Sequence, residues 1–268
     1  MKEGKLFFMK KINFYYSYKY GKGNYLRGKK ICQFFFLKNI KINLKKFNIK
    51  KISKEKNIYD LHPNDLLKLK NKKIINSLII NSFNNKTIRN CINILPHPSK
   101  NFSNNLKNTF KGEKYLVSGI DPFGKKKNTI LYDIYLFLGM DKNILKKTKE
   151  IFDKLKSKNF KIFSPGINKD YYQGVKFIKN ILSCKQHIIS GGLTRYDLMS
   201  LGINYNYIGI NKRQNDINKI CEKFYKYGNC LGTINRYNIE KIEFFKRKRK
   251  IKFKGEMNIY NLYVNKIL

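Results

Sequence analysis

The 268-residue chain is long enough for one large domain or two small ones, and for a sizeable core. Its 58 Lys and Arg against 17 Asp and Glu give a net charge of +41, which argues against an ordinary metabolic enzyme and for a polyanionic partner, nucleic acid or an anionic membrane surface. With 42% hydrophobic and 15% aromatic residues, it is no disordered basic tail.

Neither Ala nor Trp occurs, while Lys, Asn, Ile, Phe and Tyr abound; residues with AT-rich codons dominate, as in an organelle's DNA or a strongly AT-biased nuclear genome. The five Cys and three His form no C-x-x-C and no metal-ligand spacing, so neither a disulfide framework nor a zinc site is expected. No apolar run reaches the roughly 20 residues of a membrane span, and no stable membrane association is expected. The N-terminus has no apolar signal-peptide core; its basic, acid-poor start reads either as an unusual organelle-targeting segment or as mature protein.

In chain order, residues 1–56 read as a basic aromatic arm, with Phe14-Tyr15-Tyr16 and Phe34-Phe35-Phe36 among many Lys, and with Gly21, Gly23 and Gly28 opposing any helix. The partial alternation from Phe36 to Ile52 predicts a strand. Residues 57–112 read as a helical extension and linker: a helix starts at Pro63 or Asn64, Ile74 to Ile80 extends its apolar face, and Pro96 and Pro98 end it. Residues 113–216 read as a helical core. There Tyr115–Ile120 is extended, a helix runs to Leu138 on the spacing of Ile130, Leu131, Ile134, Tyr135 and Leu138, a second spans Asp141–Lys158, and a third Asn168–Cys184. Residues 217–268 read as a basic C-terminal extension with a helix from Asn238. The fold class predicted is mainly α with short extended segments, flanked by long basic extensions, and no internal repeat is evident.

Four constellations bear on chemistry. Gly119 to Lys126 (G-I-D-P-F-G-K-K) approaches the phosphate-cradling loop of nucleotide-binding enzymes, but Lys126 stands where a Mg²⁺-binding hydroxyl belongs, and Asp121-Pro122 adds a negative charge and removes an amide. Ser190-Gly191-Gly192-Leu193-Thr194-Arg195 reads as a helix end and loop. Asp133, Asp141 and Asp153, among Lys residues, read as salt-bridge partners rather than catalytic acids, and His187 has no triad spacing. In Lys246–Lys254, seven of nine residues are Lys or Arg, the density expected of phosphate contact.

The order of segments from Tyr115 to Asn215 resembles the bacterial-type small-subunit ribosomal protein thirteen family. Val117-Ser118-Gly119-Ile120-Asp121 is similar to that family's opening, Leu131 to Gly139 to its first helix and glycine turn, and Lys147-Thr148-Lys149-Glu150-Ile151 to the start of its second. Ile178–Leu182 is similar to a later helix, Gly192-Leu193 to Gly202 to the glycine–leucine loop, and Lys212-Arg213-Gln214-Asn215 to the basic tail. The family's loop is rich in Arg and His where this one has Arg195 beside Asp197. The resemblance implies a helix–two-turns–helix core in the head of the small subunit, near tRNA and an intersubunit bridge. The expectation is a non-enzymatic, rRNA-binding constituent of a mitochondrial (alternatively plastid) ribosome, with rRNA and neighbouring ribosomal proteins as partners and neither cofactor nor metal. Its expected RNA-binding residues are Lys22, Arg27, Lys29, Lys30, Lys125, Lys126, Lys127, Arg195, Lys212, Arg213, Lys246, Arg247, Lys248, Arg249 and Lys250. The alternatives are a phosphate-loop nucleotide-binding enzyme acting on RNA and a basic protein of a membrane surface.

Overall fold

A computed structural model describes residues 12–18, 23–53, 56–70, 72, 74–80, 88, 90–96, 108–118, 129–168 and 179–268. The described residues form two α/β halves, each built on a six-stranded sheet. The first half contains β1 (Ile12–Tyr16), α1 (Gly23–Phe36), β2 (Ile42–Lys46), β3 (Ile58–Asp60), α2 (Pro63–Lys70), β4 (Leu78–Ile80), β5 (Ile92–Leu95) and β6 (Thr109–Lys111). The second contains β7 (Tyr132–Phe137), α3 (Lys142–Ser157), β8 (Ile162–Phe163), β9 (Cys184–Ile189), α4 (Thr194–Ser200), β10 (Asn206–Gly209), α5 (Lys212–Tyr225), β11 (Asn229–Thr233) and β12 (Arg236–Tyr237). The C-terminal helix α6 (Gly255–Lys266) follows.

The first sheet has the order β2-β1-β3-β4-β5-β6 and the second β8-β7-β9-β10-β11-β12. Every pairing is parallel except β11 with β12. The two halves therefore repeat one doubly wound topology, in which the second strand lies outside the first and the chain then reverses direction across the sheet.

Burial on both faces of parallel strands explains the sequence pattern. In β7, Ile134 and Leu136 enter a cluster with Ile151 and Leu155 of α3, while Tyr135 joins the opposite cluster with Tyr196 and Met199 of α4 and Ile217 and Cys221 of α5. In the first half, Leu78 and Ile80 of β4 pack with Ile31 and Phe35 of α1, and Ile79 packs with Leu66 and Leu69 of α2. Helices thus cover both faces of each sheet.

The mainly α expectation is corrected on this point. The spacing of Ile130, Leu131, Ile134, Tyr135 and Leu138 matches a helical period, but a strand buried on both faces carries apolar residues at odd and even positions alike, and β7 stands there. The same holds for Ile74–Ile80, which ends in β4 rather than prolonging a helix, and for Cys184, which opens β9. Among the described residues no helix–two-turns–helix core is formed. Its flanking arm instead supplies β1, α1 and β2, and its C-terminal extension supplies most of α5, then β11, β12 and α6. From Asn238 the chain makes a short 3-10 turn (Ile239–Lys241) in place of a longer helix.

Three predicted helices form at least in part: α3, α2 and, within the predicted third helix, residues 179–182, which are helical up to the turn before β9. Asp141 caps α3 through its side chain, which accepts the amide of Asn143 at 3.0 Å, and α2 starts at Pro63. The glycines in α1 do not break it: Gly28 lies against β1, where a β-carbon would sit 2.6 Å from Phe14 Cε1, so the missing side chain lets helix and strand approach.

Two segments connect the halves. One passes through Leu116, in the second half's core, between Tyr115 and Val117, in the first half's. The other leaves β12, runs without regular structure over 242–254, and brings α6 back onto the first half. There Ile259, Leu262 and Tyr263 join the core beside Phe35, and the Tyr263 hydroxyl donates to the carbonyl of Lys56 at 2.5 Å.

Candidate ligand cleft

In doubly wound sheets, ligands bind beyond the carboxyl ends of the strands where the winding reverses. In this protein those points are β1/β3 and β7/β9, and the structure brings the loops after them together. A β-carbon placed on Gly23, at the start of α1, would lie 2.8 Å from Leu193 Cδ1 in the turn after β9. The connecting segment joins the same place, where the Ser118 hydroxyl donates to Asp197 Oδ1 of α4 at 2.9 Å.

On the first half, Asp60 ends β3 and is fully buried. Arg27 of α1 grips it with both nitrogens of its fork: Nε donates to Oδ2 at 2.6 Å, and Nη2 to Oδ1. Burial pushes the Asp60 carboxyl above its ordinary value, and the charge and hydrogen bonds of Arg27 pull against that. Asn24 donates to the Asp60 carbonyl at 2.9 Å, drawing the first turn of α1 onto β3. Beside it the Ser17 hydroxyl donates to Asp65 Oδ2 at 2.7 Å and accepts the His62 amide at 2.8 Å. Burial lowers the His62 pKa, with the charge of Asp65 opposing, which favours the neutral ring at pH 7.

On the second half, the Gly191-Gly192 turn has φ of +125° and +63°. It leads from β9 into α4, so it opens a helix rather than ending one. Arg195, fully buried, holds the turn from beneath: Nε donates to the Gly192 carbonyl at 2.9 Å, and Nη1 to Asn218 Oδ1 at 2.8 Å and the Gln214 carbonyl at 3.3 Å. Asn218 in turn donates to the Ser190 carbonyl at 2.9 Å. Turn, α4 and α5 are thereby one hydrogen-bonded unit. Around it, Arg195 Nη2 has no oxygen acceptor, and the amide oxygens of Gln214 and Asn215 in the first turn of α5 have no donor, among the described residues. Buried polar atoms of this kind call for a partner.

The two sets meet at Tyr196. Burial raises the pKa of this phenol, while the charges of Arg195 and Arg27 pull it back. Arg213, in the first turn of α5, is coupled to the same ring, and burial lowers its own pKa. Arg27, Arg195 and Arg213, from α1, α4 and α5, thus all act electrostatically on the Tyr196 phenol.

The remaining expected site residues distribute as follows. Lys29 is exposed on α1, Lys30 lies 3.8 Å from Glu256, and Lys212 is exposed at the start of α5. Lys246, Arg247, Lys248, Arg249 and Lys250 are exposed on the 242–254 segment, away from the cleft. Lys22, Lys125, Lys126 and Lys127 lie outside the described residues, as does the whole Gly119–Lys126 loop. Residues 129–131 are irregular and enter strand β7. Asp133 pairs with Lys185 at 2.7 Å, and Asp153 with Lys149. Among the described residues no His, Cys, Asp or Glu cluster could hold a metal ion, and no helix is long and apolar enough to cross a membrane. All five cysteines are free.

Sequence reasoning missed Asp60, His62, Ser118, Tyr196, Asp197 and Asn218. One usable signal was the placement of Gly191-Gly192 one residue after the apolar pair Ile188-Ile189. The sequence matches no protein-family model and no curated protein.

Proposed function

We propose that this protein is an enzyme acting on a nucleotide-linked substrate held in the cleft between its two halves. The observation that carries the reading is the meeting of two winding-reversal points, one on each half, at the Gly23–Leu193 contact. On the second half, the Gly191-Gly192 turn brings backbone close to a ligand, and Arg213 with the first turn of α5 offers positive charge to phosphate. On the first half, neutral His62 accepts the proton of the water or substrate hydroxyl that attacks the phosphorus, while the displaced oxygen leaves with the electron pair of the broken P–O bond.

Thermal melting with nucleoside mono- and diphosphates tests this. A ligand at about a hundred times its Kd stabilises by about 2.7 kcal/mol and raises the melting temperature by several degrees. Arg213→Gln is expected to abolish that rise. No response to any nucleotide at millimolar concentration sinks the reading.

A second reading, a non-enzymatic rRNA-binding constituent of a mitochondrial small ribosomal subunit, is favoured by the net charge of +41. It requires co-sedimentation with ribosomal subunits at moderate salt; free protein at the top of the gradient excludes it.

A further inference from the structure

The segment from Phe244 to Lys254 has no regular secondary structure, yet its backbone is pinned throughout to the second half. Gln186 donates to the Phe245 carbonyl at 3.3 Å, the Lys248 amide to the Gly202 carbonyl at 2.8 Å, and the Ile251 amide to the Met199 carbonyl at 3.1 Å. The Tyr227 hydroxyl holds the Arg249 carbonyl at 2.7 Å, and the Gly255 amide closes the strap on the Leu116 carbonyl at 3.0 Å. Just before it, Asn206 at the start of β10 exchanges two hydrogen bonds with the Glu243 backbone at 3.0 Å each. The anchors at Phe245, Lys248 and Ile251 lie at the amino end of β10 and at the C-terminal end of α4, opposite the cleft, whereas Phe253 at the strap's far end meets the Tyr196 ring edge-on at 5.6 Å.

Phe244 apart, its apolar side chains turn inward while its lysines, Arg247 and Arg249 are exposed. Phe245, Ile251 and Phe253 are partly buried, with Ile251 and Phe253 packed on the second half's core, and Arg247 acts electrostatically on buried His187. Lys246, Lys248, Lys250, Lys252 and Lys254 are all exposed. No Asp or Glu occurs from Phe244 to Gly255. At one end Phe244 is 58% exposed, although it stacks on Phe160.

We infer that this strap is a binding rail for single-stranded nucleic acid, its lysine row following successive phosphates and Phe244 stacking on a base. A fixed line of cations beside one open aromatic face matches a linear polyanion with stackable bases, whereas a bilayer surface is met by a broad basic patch or an amphipathic helix. The stretch Lys246–Lys250 of the rail does not depend on the cleft's ligand, since its anchors lie at the other end of the same sheet.

The test titrates full-length protein with a labelled single-stranded oligouridine over a salt series. Lys248 is left in place because its ammonium group also holds the carbonyl of Lys226, at the end of α5. The variant Lys246→Gln/Lys250→Gln/Lys252→Gln/Lys254→Gln removes up to four phosphate contacts, so the log–log salt slope should flatten by at most about 2.8, at about 0.7 per contact on a single strand. A control carrying Lys142→Gln/Lys146→Gln/Lys149→Gln/Lys156→Gln on the exposed face of α3 loses the same charge and should keep the wild-type slope. Both variants should retain the wild-type circular dichroism. Equal flattening in both variants, no flattening in the rail variant, or tighter binding to phosphatidylserine vesicles than to the oligonucleotide overturns the inference. Any nucleotide-induced rise in melting temperature should survive in the rail variant, which separates failure of the rail from failure of the cleft reading.

Discussion

The hydroxyl of Ser118, in the segment joining the halves, donates to the Asp197 carboxylate of α4 at 2.9 Å, and both residues are buried. The connector is therefore fastened to the helix that follows the Gly191-Gly192 turn, and the placement of one half on the other depends on a hydrogen bond to a charged acceptor. Such bonds contribute about 1.5–3 kcal/mol. Ser118→Ala is expected to lower stability by about that amount in urea unfolding, and Ser118→Thr to recover part of it. An unchanged midpoint in Ser118→Ala would mean that Asp197 is held by its other contacts alone.

Arg27 and Asp60 make a buried pair at the mouth of β3. Removing one member of such a pair leaves an uncompensated charge and costs about 3–5 kcal/mol, whereas replacing both with apolar groups costs much less. Arg27→Met is therefore expected to be severely destabilising, and Arg27→Met/Asp60→Leu milder than Arg27→Met. A double variant no more stable than the single one in denaturant would contradict this account. Because Arg27 also acts on Tyr196 across the cleft, the double variant should bind any cleft ligand more weakly even where it is folded.

The sequence showed α3 plainly, since its apolar residues occupy one stripe and Asp141 caps it. It hid the sheets for a physical reason. Without Ala and with little Val, Ile and Tyr fill helices and strands alike, and strands buried on both faces show no alternation; Tyr132–Phe137 thus mimics a helical stripe. Helix α1 was hidden by its glycines, whose role emerges only when Phe14 is seen against Gly28. The repeated strand order is a property of connections, with different residues in each half: Phe14 and Tyr15 occupy β1 where Ile134 and Tyr135 occupy β7. At the site, Gly191, Gly192, Arg195 and Arg213 were visible as unusual residues, whereas Asp60 and Tyr196 become meaningful only through partners that are distant in sequence.

His187 makes stability depend on pH. It is fully buried, with Nε2 2.8 Å from the Ile181 carbonyl, and burial lowers its pKa to about 4, the Ile181 bond opposing and Arg247 assisting. Its ordinary value is 6.5. Between about pH 6.5 and 4 the unfolded chain binds the proton that the folded one refuses, so the contribution is complete above 6.5 and is lost as pH falls to 4. At 1.36 kcal/mol per unit this amounts to about 3 kcal/mol. Urea midpoints across that range should fall with decreasing pH, and His187→Gln should flatten the trend. A variant with the wild-type pH profile would assign the trend to other groups.

The two glycines after β9 should differ in tolerance. At Gly192 a φ of +63° lies in the left-handed region that Asn adopts, and a β-carbon there would meet nothing within 4 Å. Gly192→Asn should thus cost about 1 kcal/mol or less. At Gly191 the φ of +125° is strained for any L-residue, at about 1–3 kcal/mol, and a β-carbon would lie 2.4 Å from Arg195 Nη2. Arg195 is clamped by Gly192, Asn218 and Gln214 and has no room to withdraw without releasing them. Gly191→Ala is therefore expected to destabilise by about 3 kcal/mol or more in denaturant unfolding and to remove nucleotide-induced stabilisation, because the turn that approaches the ligand is displaced. Equal stability of Gly191→Ala and Gly192→Asn, with binding intact in both, would show that Arg195 does not fix the turn.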